Sequence, residues 1–393
     1  MKSESYYNSI AVKMMIFLCF AAIIISIIGW NIYGVRIMYD SLEYEKSARI
    51  LQDGQLNDMH RMFYMGYIAL LAIFKSRTFI VFIQLIISLV SASVLFLTLK
   101  KYVVSPVIAI VPPLLILIWP KVFIWHYFIL TESLFISFCC LSFCAILWWR
   151  PTDWKVLVII ILTTSIRPSG LIVLFSYFIC LISFLINKYQ LSSLKRQLVV
   201  AFTIVIILFL GNMALKSFNI VETWGSGKIV YNVQNYPDKM IQEDLTLSNR
   251  DIIIPADSKN PMIEMLNFTL LNPMFSFKLF VIKVLYFVAD IRPYYSRIHI
   301  GINAIILSAC YLLSIMALRK YPFKSYQKVF LISIIIGFVL MAGITVLSWE
   351  GRFFAPIYSI LFFLSAIGMD ILFSGKSITH LKRKLFRSQA SSS

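Results

Sequence analysis

The feature that most constrains this chain is a series of apolar runs longer than any water-soluble core requires. From Ile10 to Tyr33 only Lys13 is charged, and from Leu198 to Leu215 no residue is. Runs of this kind reach the roughly 20 residues that a helix needs to cross a hydrocarbon core about 30 Å thick. Inside such a core each backbone donor and acceptor must be satisfied within a helix or a closed barrel. The two-residue alternation of a barrel strand is absent, so the expected fold is all-α. The residues AVILMFWYC make up 60% of the 393 positions and charged residues 14%, a balance that excludes an ordinary soluble domain.

The predicted spans run from Ile10 to Tyr33, Phe79 to Leu99, Val103 to Trp119, Ile129 to Trp149, Trp154 to Ile166, Gly170 to Ile186, Leu198 to Leu215, Ile300 to Leu318, Val329 to Leu347 and Ala355 to Phe373. That is a polytopic protein of about ten transmembrane helices. The fifth is short, and it is expected to continue through Arg167 and bend near Pro168. The first run is long and lacks a small-x-small cleavage site, so it is expected to stay as a helix.

The net charge is +18, from 36 basic and 18 acidic residues. In a soluble protein that excess would suggest nucleic acid; here its distribution makes it a topology signal, and no nucleic-acid partner is expected. Alternate short loops carry Lys100 and Lys101, then Arg150 and Lys155, then Lys188, Lys195 and Arg196, then Arg319, Lys320, Lys324 and Lys328. With a basic tail over 374–393, from Lys376 to Arg387, this asymmetry predicts that both termini are cytoplasmic. The six cysteines fall in apolar spans without zinc-ligand spacing and read as packing residues.

Two long segments then face outward, 34–77 and 216–299, each expected to carry interfacial helices. The first predicts a helix from about Tyr39 to Asp53, stopped at Gly54, then an apolar stretch from Met62 to Phe74 too short to span. The second predicts a surface-lying helix over 275–289, with Lys278 and Lys283 meeting anionic headgroups. No internal repeat is visible.

Ionisable residues gather at the outer helix ends. Asp40, Glu132, Arg167, Glu350 and Arg352 share one predicted depth, whereas a secondary transporter keeps such groups near the midplane. Each also has a plainer reading. Asp40 with Glu43 reads as an N-cap and capping box, Glu132 after Thr131 as an acid suited to a helix dipole, and Arg167 and Arg352 as snorkelling anchors. His60, His126 and His299 fall outside without ligand spacing, so a histidine metal site is not expected.

These residues, in order, resemble the GT-C glycosyltransferases, the type that includes the aminoarabinose transferase of lipid A and the protein O-mannosyltransferases. The signatures are Asp40-Ser41 with Tyr44 after the first helix and Thr131-Glu132-Ser133-Leu134 at a helix start. Arg167-Pro168-Ser169-Gly170 forms a hairpin, and Glu350-Gly351-Arg352-Phe353 precedes Pro356. The resemblance implies a single transmembrane domain over 1–393 with a polyprenyl-phosphate (undecaprenyl-phosphate) sugar donor, an outward-facing acceptor hydroxyl and inversion at the anomeric carbon. It implies Asp40 as base, Arg352 and Arg167 as donor-phosphate partners, Glu132 and Tyr44 as acceptor or metal candidates and Glu350 in support. No cofactor is fixed by it, and a divalent metal stays open.

No sizeable domain is expected after the last helix, and the Trp-Trp-Asp signature of oligosaccharyltransferases is missing. The expectation is therefore transfer of one sugar to a glycan or glycolipid, such as O-antigen in lipopolysaccharide, at the periplasmic face of a bacterial inner membrane. The alternatives are an O-antigen polymerase or ligase and a lipid-linked sugar flippase or transporter.

Overall fold

A computed structural model of the chain describes residues 2–54, 63–190, 192–215, 220–230, 245–248, 252–255, 260–292, 295–347 and 351–374. In order the helices are α1 (Lys2–Tyr33), α2 (Tyr39–Gln52), α3 (Met65–Ile73), α4 (Arg77–Tyr102), α5 (Pro106–Ile118), α6 (Pro120–Phe123), α7 (Glu132–Trp148) and α8 (Trp154–Ile166). Then come α9 (Gly170–Tyr189), α10 (Ser193–Leu215), α11 (Ile220–Gly225), α12 (Pro261–Leu271), α13 (Pro273–Val288), α14 (Arg297–Lys320), α15 (Ser325–Ile344) and α16 (Ala355–Ser374). Between α11 and α12 a short antiparallel pair joins β1 (Lys228–Val230) to β2 (Leu245–Thr246).

The chain is an all-helical membrane protein by the length and composition of its helices. Among the described residues six helices are long and apolar enough to cross a bilayer, or up to eight if each of two bent pairs is one span. All ten predicted segments are helical, but α7 and α8 are shorter apolar helices, and the chain bends by 54° at Trp119, where the segment predicted from Val103 ends, between α5 and α6. Pro120 explains that break, since proline cannot continue the backbone ladder from the preceding turn.

The core is built around α16, whose membrane-length window is 78% buried and which packs on α5, α7 and α14. Around α7, Phe135, Cys139, Phe143 and Ile146 are closed off from solvent, and α4 covers one face of it. Asp370 of α16 accepts from the Val104 and Ser105 backbone N–H groups at 3.1 and 3.2 Å, tying the start of α5 to the end of the central helix. A carboxylate there satisfies helix donors that have no partner in their own helix.

Several expectations are corrected. The α8 helix does not continue through Arg167; it ends at Ile166, and Arg167 is extended at φ −163° and ψ 152°. The cause is Pro168, which disfavours helical backbone in the residue before it. The turn then closes on Gly170, where a Cβ would lie 2.6 Å from the Thr163 carbonyl oxygen. The helix predicted over 275–289 appears as α13, but α12 precedes it at a 111° bend at Asn272 and Pro273. Lys278 is exposed, whereas Lys283 is fully buried with its ammonium 5.2 Å from the Trp224 ring centre, so Lys283 does not meet headgroups.

The first outer segment follows its prediction more closely. Helix α2 ends at Gln52 ahead of Gly54 (φ 71°), and α3 occupies the apolar stretch expected at the interface. The bundle and this segment are joined at Arg36, whose N–H donates to the Tyr127 carbonyl at 2.8 Å and whose carbonyl accepts from Ile129 N–H at 3.0 Å. That bridge sets the beginning of α2 beside the beginning of α7. The residues His60 and Glu350, and the tail from 375 onward, lie outside the described residues.

Candidate active site

Asp40 does not cap its helix. The N-cap is Met38, and its N–H donates to Ser41 Oγ at 2.9 Å, so Ser41 performs the task that Asp40 and Glu43 were expected to share. The Asp40 carboxylate is left free to reach across the bundle end. Arg352 Nη1 lies 3.2 Å from Asp40 Oδ2 and 3.4 Å from Glu132 Oε1. Arg167 Nη1 donates to the same Glu132 oxygen at 3.1 Å. Four residues from four separate parts of the chain thus form one alternating chain of charge, Asp40–Arg352–Glu132–Arg167.

Exposure separates the two acids. The Asp40 side chain is 44% exposed and that of Glu132 only 3%, with Arg352 at 20% and Arg167 at 9% between them. Glu132 begins α7 next to Thr131, whose hydroxyl donates to its Oε2 at 3.3 Å. Its acidic group suits the helix N-terminus, but two guanidiniums and a hydroxyl are what fix it. Arg167 is not a snorkelling anchor, because its guanidinium turns inward, 5.2 Å from the Phe353 ring centre and 5.8 Å from that of Phe135. Burial would lower the Arg352 pKa, but the carboxylates of Glu132 and Asp40 outweigh it and hold the guanidinium above its usual value. One donor remains unused, since Arg352 Nε is buried without a hydrogen-bond partner.

An aromatic wall stands behind these charges. Tyr44 on α2 packs against Tyr64 and Tyr67, with ring centres 5.3 and 5.4 Å apart. Burial pushes the Tyr44 phenol well above its usual pKa, and Tyr64, Glu132 and Asp40 add to the effect. Its hydroxyl therefore stays protonated and can donate a hydrogen bond, but it is no base. The Tyr67 hydroxyl is also buried, with no hydrogen-bond partner.

His126, expected outside, is instead buried between α4 and α7. Its ring nitrogens stand 3.0 Å from Ser88 Oγ and 2.7 Å from Ser133 Oγ, while Gln84 Nε2 donates to the His126 and Phe128 carbonyls at 2.9 and 3.0 Å. This network joins the first charged site, through Ser133, to an apolar crevice of about 340 Å³ between α1 and α4. Ile23, Trp30, Phe82 and Leu89 line its walls, and Ser88 and His126 are its polar corner.

A second ionic cluster escaped the sequence reading. Asp290, fully buried with φ 47°, accepts from the Tyr358 hydroxyl at 2.6 Å, pairs with Lys121 Nζ and lies 3.7 Å from Arg292 Nη2. It touches the first site through Gly351, where a Cβ would stand 2.7 Å from Asp290 Oδ1. The signal that could have revealed it is Asp290-Ile291-Arg292-Pro293 directly after an apolar helix. Among the described residues no group of three or more His, Cys, Asp and Glu side chains is placed to hold a metal ion. No protein-family model, curated protein or solved structure matches this chain.

Proposed function

We propose that this chain is an inverting GT-C type glycosyltransferase that moves one sugar from a polyprenyl-phosphate donor to a hydroxyl of a surface glycan or glycolipid. It works from about ten spans, counting the shorter apolar helices α7 and α8, with both termini cytoplasmic and the site at the periplasmic face of a bacterial inner membrane. The observation that carries this reading is the half-exposed Asp40 carboxylate 3.2 Å from a guanidinium that a second, buried carboxylate holds in place.

Asp40 takes the proton of the acceptor hydroxyl as its oxygen attacks the anomeric carbon from the face opposite the phosphate. The bond from that carbon to the phosphate oxygen breaks, and its electron pair leaves with the lipid phosphate. Arg352 meets the charge that develops there, and on doing so it releases Asp40 from its ion pair. Glu132 and Arg167 keep Arg352 aimed; they need not touch either substrate. Tyr44 can donate a hydrogen bond to a sugar or acceptor oxygen. The crevice between α1 and α4, within the about 300–1,000 Å³ range of ligand pockets, offers hydrocarbon a place beside this machinery.

The test is mass spectrometry of the cell-surface polysaccharide with and without the protein. Loss of a single side-branch sugar is the expected result. Loss of the polymer itself would instead indicate a polymerase or ligase, and an unchanged polysaccharide would remove the proposal.

A further inference from the structure

The two ionic clusters differ in their balance of charge. In the first, Asp40 and Glu132 offset Arg167 and Arg352. In the second, Lys121 and Arg292 share, among the described residues, a single carboxylate, that of Asp290. Arg292 is fully buried; its Nη1 donates to the Ile291 and Tyr286 carbonyls at 2.6 and 3.4 Å, while Nε and Nη2 have no hydrogen-bond partner among the described residues. A buried cation that must share its counter-charge with a second cation, and that leaves hydrogen bonds unmade, is an unfavourable arrangement unless something completes it.

We propose that Lys121 and Arg292 form a seat for a phosphate group, either free inorganic phosphate or the headgroup of a lipid phosphate. Lys121 is the accessible member, with a side chain 10% exposed and its ammonium 4.7 Å from the Tyr295 ring centre. Tyr295 stacks at 4.0 Å on His299, which is exposed. Arg292 lies behind and supplies the charge that Asp290 leaves unbalanced. Gly351 closes the other side, because a Cβ there would stand 3.7 Å from Arg292 Nη2. A phosphate in this seat lies beside the turn that delivers Arg352. Taking the donor lipid as its source rests on the transferase reading, but the seat itself does not.

Thermal unfolding of the purified full chain, titrated with inorganic phosphate, farnesyl phosphate and farnesol, tests this. Inorganic phosphate should raise the melting temperature, farnesyl phosphate should do so at concentrations at least about tenfold lower if the ligand is a lipid headgroup, and farnesol should have no effect. Equal potency of the two phosphates would assign the seat to the free anion. Lys121→Gln should weaken the response to inorganic phosphate at least about tenfold, and Lys121→Arg should restore it. If Lys121→Gln does not fold, His299→Glu replaces it, because a carboxylate on the far side of Tyr295 from Lys121 should repel the anion. A folded chain that shows no phosphate response, or one whose response survives undiminished in Lys121→Gln or His299→Glu, overturns the proposal, as does farnesol matching farnesyl phosphate. A chain that passes this test and transfers no sugar loses the transferase reading alone.

Discussion

Arg352 Nη1 stands 3.2 Å from Asp40 Oδ2 and shares itself with Glu132 Oε1 at 3.4 Å, yet the two acids do different work. An ion pair with a half-exposed carboxylate contributes about 0–1 kcal/mol, whereas removing one partner from a buried pair costs about 3–5 kcal/mol. Asp40→Asn should therefore leave stability nearly unchanged. Glu132→Gln should lower it by about 3–5 kcal/mol, because Arg167 and Arg352 then lose their common counter-charge. Denaturant or thermal unfolding in detergent checks the contrast, and equal losses for the two variants would remove the division of labour.

A second prediction concerns Arg352 itself. Lysine keeps the charge but not the planar fork that can hold two phosphate oxygens at once. Arg352→Lys should lose most transfer while insertion and expression hold, as measured by transfer rate beside the amount of folded protein. Near-normal transfer by Arg352→Ala would return Arg352 to an anchoring role and leave Arg167 as the phosphate partner.

Gly351 precedes Arg352 in left-handed backbone, φ 66°, and lies against Asp290. Gly351→Ala adds a contact of 2.7 Å to the backbone penalty of about 1–2 kcal/mol. Gly34→Ala has a similar φ of 56° but nothing within 4 Å of the new Cβ, so it bears the backbone penalty alone. Gly351→Ala should be the more destabilising, and it should also slow transfer, since a misplacement near 1 Å can cost about 100-fold. Thermal unfolding and transfer rates of the pair separate the two effects.

Much of the first site was legible in the sequence, because an acid or an arginine at the end of an apolar run is conspicuous. Asp40, Glu132, Arg167 and Arg352 were all visible in that way, and they meet. What the sequence could not supply was partnership. Glu132 looked as open as Asp40 until the fold closed two arginines over it. The cap was misassigned because Asp40 and Ser41 are both good capping residues, and only the backbone decides which of them sits at the third position of the helix. Asp290 went unread because its partners come from distant segments, Lys121 after one apolar helix and Tyr358 inside another. Asp370 was absorbed into a predicted span, although it caps α5 from across the bundle. The short α8 could be read from Arg167-Pro168, but its helix was extended one residue too far.

Topology gives a fourth prediction, from the basic asymmetry of the short loops. Ser193 and Ser296 are both exposed, at opposite predicted sides of the membrane. In intact cells Ser296→Cys should react with an impermeant thiol reagent and Ser193→Cys should not. The reverse labelling would place the charged sites on the cytoplasmic side.

The role of Asp40 as base is decided by sugar transfer from a purified polyprenyl-phosphate donor to acceptor glycan, measured for wild-type protein and for Asp40→Asn beside the melting temperature of each. Asparagine keeps the size of the side chain and removes its basicity. Wild-type protein should transfer sugar, Asp40→Asn should lose about 100-fold or more, and the melting temperature should change little. A fully active Asp40→Asn protein, or a wild-type protein that transfers nothing from this donor, would contradict that role.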